Sequence, residues 1–316
     1  MNLKMTVYRC QGTAASIGIG ALFLAILIIG NAILDDVVFC DAIHDMDSKI
    51  TAKDWHVGVG GQALNTAITL ANMGHLVFFY GAIGNDPPGD TLRAAMDRAG
   101  VRALAPVQSG ARSQTATILV QREHGSRLIV MRRDAALELP TIDPRLLDEF
   151  DIEAVFSDGY EVDSSLWAAR IARERESPFF LDVEYAIPRL SELVPFCDTL
   201  FVSASGEDAA LPVAARAPCT VIVKMGANGA RSLGAEGELH EAAREIDPVD
   251  TTGAGDAFDA GYIAARLRGH DLAARLDFAC RAGAAACMEV GGQMSVAAAR
   301  AIGAEISGKA LAAEAN

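Results

Sequence analysis

The sequence is short of basic residues, and this shortage excludes several classes of function. Lys and Arg number 27 against 41 Asp and Glu, which gives a formal net charge of −14. Nucleic acids and anionic membrane surfaces both require clustered cations, so this charge balance disfavours them as partners. The chain also lacks a GxxxxGK[ST] motif and therefore a P-loop nucleotide site. A small-molecule ligand fits this composition better.

Paired cysteines and aromatic residues are scarce as well. None of the six cysteines forms a CxxC pair, which disfavours a zinc ribbon or a dithiol redox site, and the six histidines show no metal-ligand spacing. We therefore expect reduced thiols and a cytoplasmic protein. An aromatic content of 6% argues against a ligand site built on base stacking but does not exclude a nucleoside ligand. The cysteines are Cys10, Cys40, Cys197, Cys219, Cys280 and Cys287.

Residues 13–34 carry no charge and are about as long as a segment that crosses a hydrocarbon core. A membrane span fits this length, and a signal peptide fits the weak basic region made by Lys4 and Arg9. Against both, Gly and Asn interrupt the segment, and residues 23–29 have the Leu and Ile content of a buried parallel strand. We expect a core strand preceded by an N-terminal extension at residues 1–20.

An apolar fraction of 51% in 316 residues is enough to bury the core of one large domain, which we place at residues 21–316. From residue 154 onward, β-type runs alternate with helical patterns. This alternation predicts an α/β fold with a doubly wound, mostly parallel sheet between helices, and ligands bind beyond the carboxyl ends of such strands. Residues expected at those ends are Asp158, Asp182, Glu184, Ser203, Ser205 and Gly226.

Residues 250–258, DTTGAGDAF, join a Gly-rich turn to an apolar helical pattern. Gly253, Ala254 and Gly255 are small enough for an anion to approach the backbone, and the unpaired amides of residues 253–256 would form the N-terminus of the helix. Asp256 at that terminus suggests a general base beside a phosphoryl-binding turn. The alternative is that Asp256 simply caps the helix.

A second Gly-rich segment, residues 58–65, matches the dinucleotide fingerprint GxGxxA. A true fingerprint follows a hydrophobic strand in a βαβ unit, whereas polar residues 52–56 precede this one. We therefore reject a dehydrogenase. The helix expected after this segment runs from Gln62 to Met73, with Gly74 at its end, and it places Asn65 in the first turn.

Residues 115–120 and 127–131 predict two short strands, joined by a turn at residues 124–126. Arg132 and Arg133 follow the second strand. Paired arginines usually form a solvated face, and the alternative is recognition of an anionic substrate. Asp35 and Asp36 likewise leave two interpretations open, because they would either cap a turn or bind sugar hydroxyls.

The DTTGAGDAF segment with downstream Gly261 resembles the C-terminal signature of the ribokinase-like, phosphofructokinase-B type carbohydrate kinases. Residues 60, 61 and 65 (Gly, Gly and Asn) are similar to the N-terminal substrate loop of that family. Residues 81–89, GAIGNDPPG, and residues 223–230, VKMGANGA, add to the likeness. The resemblance covers about residues 22–306 and implies a doubly wound sheet with a small β lid.

The resemblance implies transfer of a phosphoryl group from ATP, with Mg²⁺, to a hydroxyl of a sugar or sugar derivative. Asp256 takes the position of the catalytic base, and residues 253–255 take the positions of the anion hole. The implied substrate residues are Asp35, Gly60, Gly61 and Asn65, with Arg132 as an addition of our own. The implied nucleotide residues are Lys224, Gly226, Gly229 and Thr251, and those for cations are Glu207 for Mg²⁺ and Asp250 with Thr252 for K⁺.

Two departures from the family pattern qualify these expectations. Ala204 stands where many members have an Asn that organises the magnesium water shell together with the acid at position 207. Ile33 stands where ribokinase-like members can carry a substrate-contacting Asn. A nucleoside kinase and a non-catalytic sugar- or nucleotide-binding protein therefore stay open as alternatives. The lid, expected from about residues 36–57 and 111–133, would pair two subunits into a homodimer.

Overall fold

The chain folds around two β-sheets, one large and one small, as seen in a computed structural model. Thirteen strands and eight α-helices lie within the residues that this structure describes. Those residues are 23–42, 47, 49–52, 54–105, 107–121, 127–139, 144–184 and 187–308.

The strands and helices alternate along most of the chain. The strands are β1 (Phe23–Ile29), β2 (Ile33–Cys40), β3 (Asp54–Gly60), β4 (Val77–Tyr80), β5 (Arg102–Ala103), β6 (Thr115–Gln121), β7 (Arg127–Arg132), β8 (Phe150–Ser157), β9 (Phe179–Val183), β10 (Thr199–Ser203), β11 (Thr220–Lys224), β12 (Ala230–Gly234) and β13 (Leu239–Glu241). The helices are α1 (Gln62–Asn72), α2 (Pro87–Ala99), α3 (Val162–Glu174), α4 (Leu190–Leu193), α5 (Glu207–Ala214), α6 (Ala254–Leu267), α7 (Leu272–Ala286) and α8 (Val296–Ile306).

The large sheet has nine strands in the order β13-β12-β11-β10-β9-β8-β1-β4-β5. The seven strands from β11 to β5 in this order are parallel, and β12 and β13 are antiparallel additions at one edge. Strand β1 lies inside the sheet between β4 and β8, and its residues 25–29 are fully buried. The predicted core strand is therefore confirmed.

The N-terminal extension at residues 1–20 lies outside the described residues. Within the part of the chain that the structure describes, no helix is both long and apolar enough to cross a membrane.

Two hydrophobic cores lie on the two faces of the large sheet. Alternate residues of β1 point to opposite faces, so that Ile26 and Ile28 join one core while Leu27 and Ile29 join the other. Helices α1, α2, α6, α7 and α8 cover the first face, and α3, α4 and α5 cover the second. This arrangement confirms the predicted doubly wound α/β fold. The five described cysteines are all free thiols and all buried.

The small sheet, called the lid sheet below, has the order β3-β2-β6-β7. Its inner face carries a small buried cluster that includes Val37, Ala116 and Ile118. Its outer face exposes apolar side chains, among them Trp55 and Val57. The sheet uses much of residues 36–57 and 111–133 and adds residues 33–35 and 58–60, while the predicted turn at residues 124–126 lies outside the described residues.

Two local features of this region were not evident from the sequence. Residues 54–60 form strand β3, because Trp55, Val57 and Val59 alternate with smaller or polar residues on the other face. This strand is antiparallel to β2 and lies outside the parallel sheet, so the dinucleotide fingerprint still lacks its βαβ context. Asp35 and Asp36 also lie inside a strand, β2, and do not cap a turn.

Candidate active site

Asp256 lies in the first turn of α6, which begins directly after Gly253. Gly253 adopts φ = 68°, and a methyl group built on it would lie 2.0 Å from the carbonyl oxygen of Gly292. Only glycine fits this turn without displacing the backbone. The turn starts the helix beneath the lid sheet and buries the Asp256 side chain, which leaves the residue 8% exposed.

A chain of hydrogen bonds orients the Asp256 carboxylate. Asn65 Nδ2 donates to Asp256 Oδ2 at 2.8 Å, across 191 residues of sequence. Gln293 Nε2 in turn donates to Asn65 Oδ1 at 3.2 Å and to the carbonyl oxygen of Val59 at 3.4 Å. Because each amide fixes the next, the orientation of the carboxylate is set by α1, the lid sheet and the loop before α8.

Burial raises the pKa of Asp256 from its usual value of 3.8 to about 7. The hydrogen bond from Asn65 and the positive charge of Lys224 oppose this rise, while the charges of Asp182 and Glu184 add to it. A carboxyl group with a pKa near neutrality can accept a proton in its ionised form and release it again. The site therefore places a base of useful strength at a helix N-terminus.

Lys224, at the end of β11, directs its ammonium into a cluster of acids beneath the Gly-rich turn. Its Nζ atom lies 3.0 Å from Asp182 Oδ1 and 3.1 Å from Asp259 Oδ2. Asp182 also accepts a hydrogen bond from Gln62 Nε2 at 3.1 Å. A methyl group built on Gly255 would lie 3.4 Å from Nζ, so the ammonium packs directly against the turn. Lys224, predicted to meet a phosphate, has two carboxylate partners here.

Asp35 faces Gly60 across the lid sheet. A methyl group built on Gly60 would lie 1.9 Å from Asp35 Oδ2, so glycine is required for the carboxylate to occupy this position. Burial raises the pKa of Asp35 to about 7. Gly61 adopts φ = 94°, and a methyl group there would lie 2.5 Å from the carbonyl oxygen of Asn31. At both predicted substrate glycines, neighbouring atoms therefore lie too close for a larger side chain.

Asp158 fixes the start of this loop to the central sheet. Its Oδ2 atom accepts from the backbone amide of Asn31 at 2.7 Å, and its Oδ1 atom accepts from that of Tyr160 at 3.2 Å. Burial raises the pKa of Asp158 to about 6, and these backbone bonds oppose the rise. Asp158 therefore joins the ends of β1 and β8 next to the predicted substrate loop.

Asp250 organises the turn that precedes α6. Its two carboxylate oxygens accept from the backbone amides of Thr252 at 2.9 Å and Gly291 at 3.0 Å. Burial would raise the pKa of Asp250, but these hydrogen bonds outweigh it and the pKa is lowered. Arg127 of the lid sheet reaches the same turn, where its Nη1 atom donates to Thr252 Oγ1 at 3.4 Å. The lid sheet therefore contacts the Gly-rich turn directly.

The predicted nucleotide residues lie in two places beside this turn. Gly226 begins a short 3-10 turn one residue after β11, and Gly229 closes that turn with φ = 85°. A methyl group built on Gly229 would lie 2.0 Å from the carbonyl oxygen of Glu241 in β13. Thr251 is exposed at the start of the Gly-rich turn. Their contact with ATP stays a prediction.

The predicted magnesium residue, Glu207, forms an ion pair with Arg231. Within the described part of the chain, no group of three or more His, Cys, Asp or Glu side chains could bind a metal ion. Mg²⁺ commonly binds through one or two carboxylates together with substrate phosphates. The residues here do not fit a metal site built by the protein alone, and no step below depends on one.

Arg132 lies on the face of the lid sheet opposite Asp35. It pairs with Thr115, which pairs with Leu34, so that alternation places Arg132 on the outer face. There it donates to Thr117 Oγ1 at 3.2 Å and lines an open cavity of about 490 Å³. The structure therefore does not bring Arg132 to Asp256.

Three residues of the site carry no signal in the sequence pattern. Gln293 and Arg127 are lone polar residues outside any motif, and Asp259 is a charged residue on a mostly apolar helix. Only the distance between helix positions 256 and 259, about one turn, hints that the two acids share a face. The contacts of all three residues cross more than 30 residues of sequence.

Comparison with known proteins extends over the whole of this site. The pfkB family carbohydrate kinase profile matches residues 25–299. A ribokinase from Bacillus subtilis is 24% identical over 279 residues, which are 85% of this chain and 94% of that protein. An ATP-dependent ribose-1-phosphate kinase from Halopiger xanaduensis is 27% identical over 270 residues, or 82% and 90% of the two chains. The structure of Arabidopsis thaliana ribokinase complexed with ribose and ATP superposes with a TM-score of 0.73 at 20% identity, covering 90% of this chain and 99% of that one.

Proposed function

The chain belongs to the pfkB family of carbohydrate kinases and is an ATP-dependent kinase, and we propose that Asp256 is the general base that activates the sugar hydroxyl. The observation that carries this proposal is the buried Asp256 carboxylate at the N-terminus of α6, oriented by a 2.8 Å hydrogen bond from Asn65. The bond engages Oδ2, and Oδ1 would accept the proton of the acceptor hydroxyl. The hydroxyl oxygen then attacks the γ-phosphorus of ATP as the bond to the β-phosphate oxygen breaks.

The backbone amides at the start of α6 would stabilise the charge on the transferring phosphoryl group. Gly255 and Asp256 lie in the first helical turn, where regular geometry offers their N–H groups no carbonyl partner. The helix dipole adds positive potential at the same end. Preorganised amides of this kind stabilise developing negative charge without reorganisation.

The acceptor sugar would lie between the lid sheet and α1, bound by Asp35, Asn65 and the loop at Gly60 and Gly61. Asp35 and Asp256 both have pKa values raised by burial to about 7, so either can exchange hydrogen bonds with hydroxyl groups near neutral pH. The outward position of Arg132 favours a neutral sugar over an anionic one.

Arg133 supports the same choice of acceptor. Its guanidinium forms an ion pair with Glu161 and lies 5.5 Å from the ring centroid of Tyr160. Because its charge is already balanced, it offers little attraction to a phosphate or sulfonate on the sugar. Ribokinase and ribose-1-phosphate kinase both occur among the relatives, so neutral and anionic acceptors are each represented there.

Arg127 supplies a cation next to the transferring group. It is exposed, it belongs to the inner face of the lid sheet, and it contacts Thr252 of the Gly-rich turn. We expect Arg127→Ala to lower kcat by about 10²-fold or more, because an arginine that stabilises phosphoryl transfer contributes at least that scale. Arg132→Ala is the matched control, since it removes the same side chain from the same strand on the opposite face. Equal activity of the two variants would remove Arg127 from the mechanism.

Magnesium and potassium remain predictions of the family resemblance. We expect Mg²⁺ to enter with ATP, because phosphate oxygens supply the ligands that the protein does not cluster. A monovalent cation near Asp250 and Thr252 would raise the rate in KCl above that in NaCl or choline chloride. Identical rates in the three salts would argue against that cation site.

The acceptor is best identified by an ADP-release screen across pentoses, hexoses, sugar acids, ribose 1-phosphate and nucleosides, with phosphorylated products confirmed by mass spectrometry. We expect a neutral sugar to give the highest kcat/KM. If a nucleoside is the best acceptor, the chain is a nucleoside kinase. Binding of sugar and ATP without any product would defeat the assignment of Asp256 as a base.

A further inference from the structure

The ammonium of Lys224 lies against the Gly-rich turn, and its ion-pair partners are two buried carboxylates. Its side chain is 13% exposed, and its two carboxylate partners, Asp182 and Asp259, are 1% and 0% exposed. The ammonium also lies 5.8 Å from the ring centroid of Phe201 on its buried side. A lysine side chain held by these three contacts has little freedom to move towards a bound nucleotide.

The charges around Asp256 show what this ammonium does. Four titratable groups interact electrostatically with Asp256: Asp182 of β9, Glu184 after β9, Asp259 of α6 and Lys224 of β11. The Lys224 ammonium lies 3.4 Å from a methyl group built on Gly255, the residue directly before Asp256. Burial, with the charge of Asp182 adding to it, raises the pKa of Asp259 well above its usual range, while the charge of Lys224 opposes that rise. Burial would lower the pKa of Lys224, but the neighbouring carboxylates outweigh it and the pKa is raised. Lys224 is therefore a positive charge that opposes the nearby acids.

We propose that Lys224 is a positioning residue that provides a fixed counter-charge for the base Asp256 and does not bind ATP. This inference rests on the proposed role of Asp256. Asp182, held by Lys224 and by Gln62, is the buried partner that keeps the ammonium in place. A lysine that bound phosphate would instead affect the affinity for ATP.

The variant Lys224→Met separates these two roles. We expect the acid limb of the pH profile of kcat/KM for the sugar to move to higher pH by about one unit, the scale of a neighbouring charge. The KM for ATP should stay within about two-fold of the wild-type value, since no phosphate contact is lost. A KM for ATP that rises ten-fold or more with an unmoved acid limb would overturn the proposal.

A second variant covers the case in which the first does not fold, because Lys224→Met leaves Asp182 buried without its cation. Lys224→Met/Asp182→Asn removes one charge of each sign together, which proteins often tolerate. The two removals have opposite effects on Asp256, so we expect its acid limb to return to within about half a unit of wild type. An acid limb displaced as far as one unit in this double variant would contradict the counter-charge.

Arg275→Met is the matched control for loss of a buried cation. Arg275 is 7% exposed and pairs with Glu236 at 2.6 Å. Glu236 lies beside Thr220, the first residue of β11, so this ion pair is at the end of the strand opposite Lys224. We expect lower stability and an unchanged acid limb, and a shift equal to that of Lys224→Met would overturn the proposal.

Asp256→Asn distinguishes failure of this inference from failure of the base assignment. If residual activity in Asp256→Asn keeps the wild-type acid limb, the base is another group and the counter-charge role falls with it. If the limb disappears in Asp256→Asn but stays unmoved in Lys224→Met, Asp256 is the base and the role of Lys224 alone is refuted.

Discussion

Replacing Asp256 with Asn should make the protein more stable at neutral pH while removing its activity. The carboxyl has a pKa of about 7 in the folded chain, against the usual 3.8 of an aspartate in an unfolded chain. Between these two values the folded state retains a proton that the unfolded state has lost, so the free energy of unfolding falls as the pH rises through this window. Above pH 7 the ionised carboxylate has its full destabilising effect.

The size of the effect follows from the shift of roughly three units at about 1.36 kcal/mol each, which gives about 4 kcal/mol at pH 8. At pH 5 the same integration gives less than about 2 kcal/mol. An amide still accepts the hydrogen bond from Asn65, so Asp256→Asn removes the buried charge with little change in shape. Asp35 titrates in the same range in both proteins, and its contribution cancels in the comparison.

Urea unfolding of wild type and Asp256→Asn at pH 5 and pH 8 measures this difference. We expect the variant to be the more stable protein at both values and its advantage to grow with pH. Equal stability at pH 8, or an advantage that shrinks from pH 5 to pH 8, would refute the claim that the folded chain maintains Asp256 in a destabilised ionised form. Circular dichroism of the two folded proteins controls for a change of fold.

Two further predictions concern the lid sheet. Gly60→Ala should raise the KM for the sugar by about ten-fold or more, because its methyl group would collide with the Asp35 carboxylate. The control, Gly58→Ala, should change this KM less than about two-fold, since the nearest atom to its methyl group is 3.6 Å away. Equal KM values for the two variants would exclude the close approach of Asp35 to Gly60 as a determinant of sugar binding. Trp55→Glu should convert a homodimer into a monomer in light scattering, because Trp55 is 67% exposed on the outer face, and a wild type that is monomeric would refute pairing through this face.

Local pattern was sufficient for the buried parallel strands of the large sheet, such as β1, β8, β9, β10 and β11, but not for the edge strands β5, β12 and β13. The charge-free run at residues 23–29 and the alternation after residue 154 depend on burial on both faces, which leaves a continuous apolar signature. Strand β3 escaped prediction because Gly58 and Gly60 are poor strand formers and because Trp55 and Val57 face solvent. A strand in a small sheet with one exposed face gives no such signature.

The candidate site was predictable only where one segment supplies both the turn and the reactive group. Asp256 and its glycines lie within residues 250–258, so this one segment suggests a base beside an anion-binding turn, and the family resemblance adds the catalytic role. Three contacts of the site join segments that are distant in sequence. They are the hydrogen bonds from Asn65 to Asp256 and from Gln293 to Asn65, and the ion pair of Lys224 with Asp182. Their pairing depends on the register of helices and strands, which no local pattern encodes.

The central claim is that Asp256 accepts the proton of the sugar hydroxyl during phosphoryl transfer. Single-turnover transfer from γ-labelled ATP, measured for wild type and Asp256→Asn with the best acceptor from the sugar screen, tests it most directly. We expect the variant to bind both substrates with unchanged affinity and to transfer the phosphoryl group more than about 10²-fold more slowly. Transfer at the wild-type rate in the folded variant would contradict the claim.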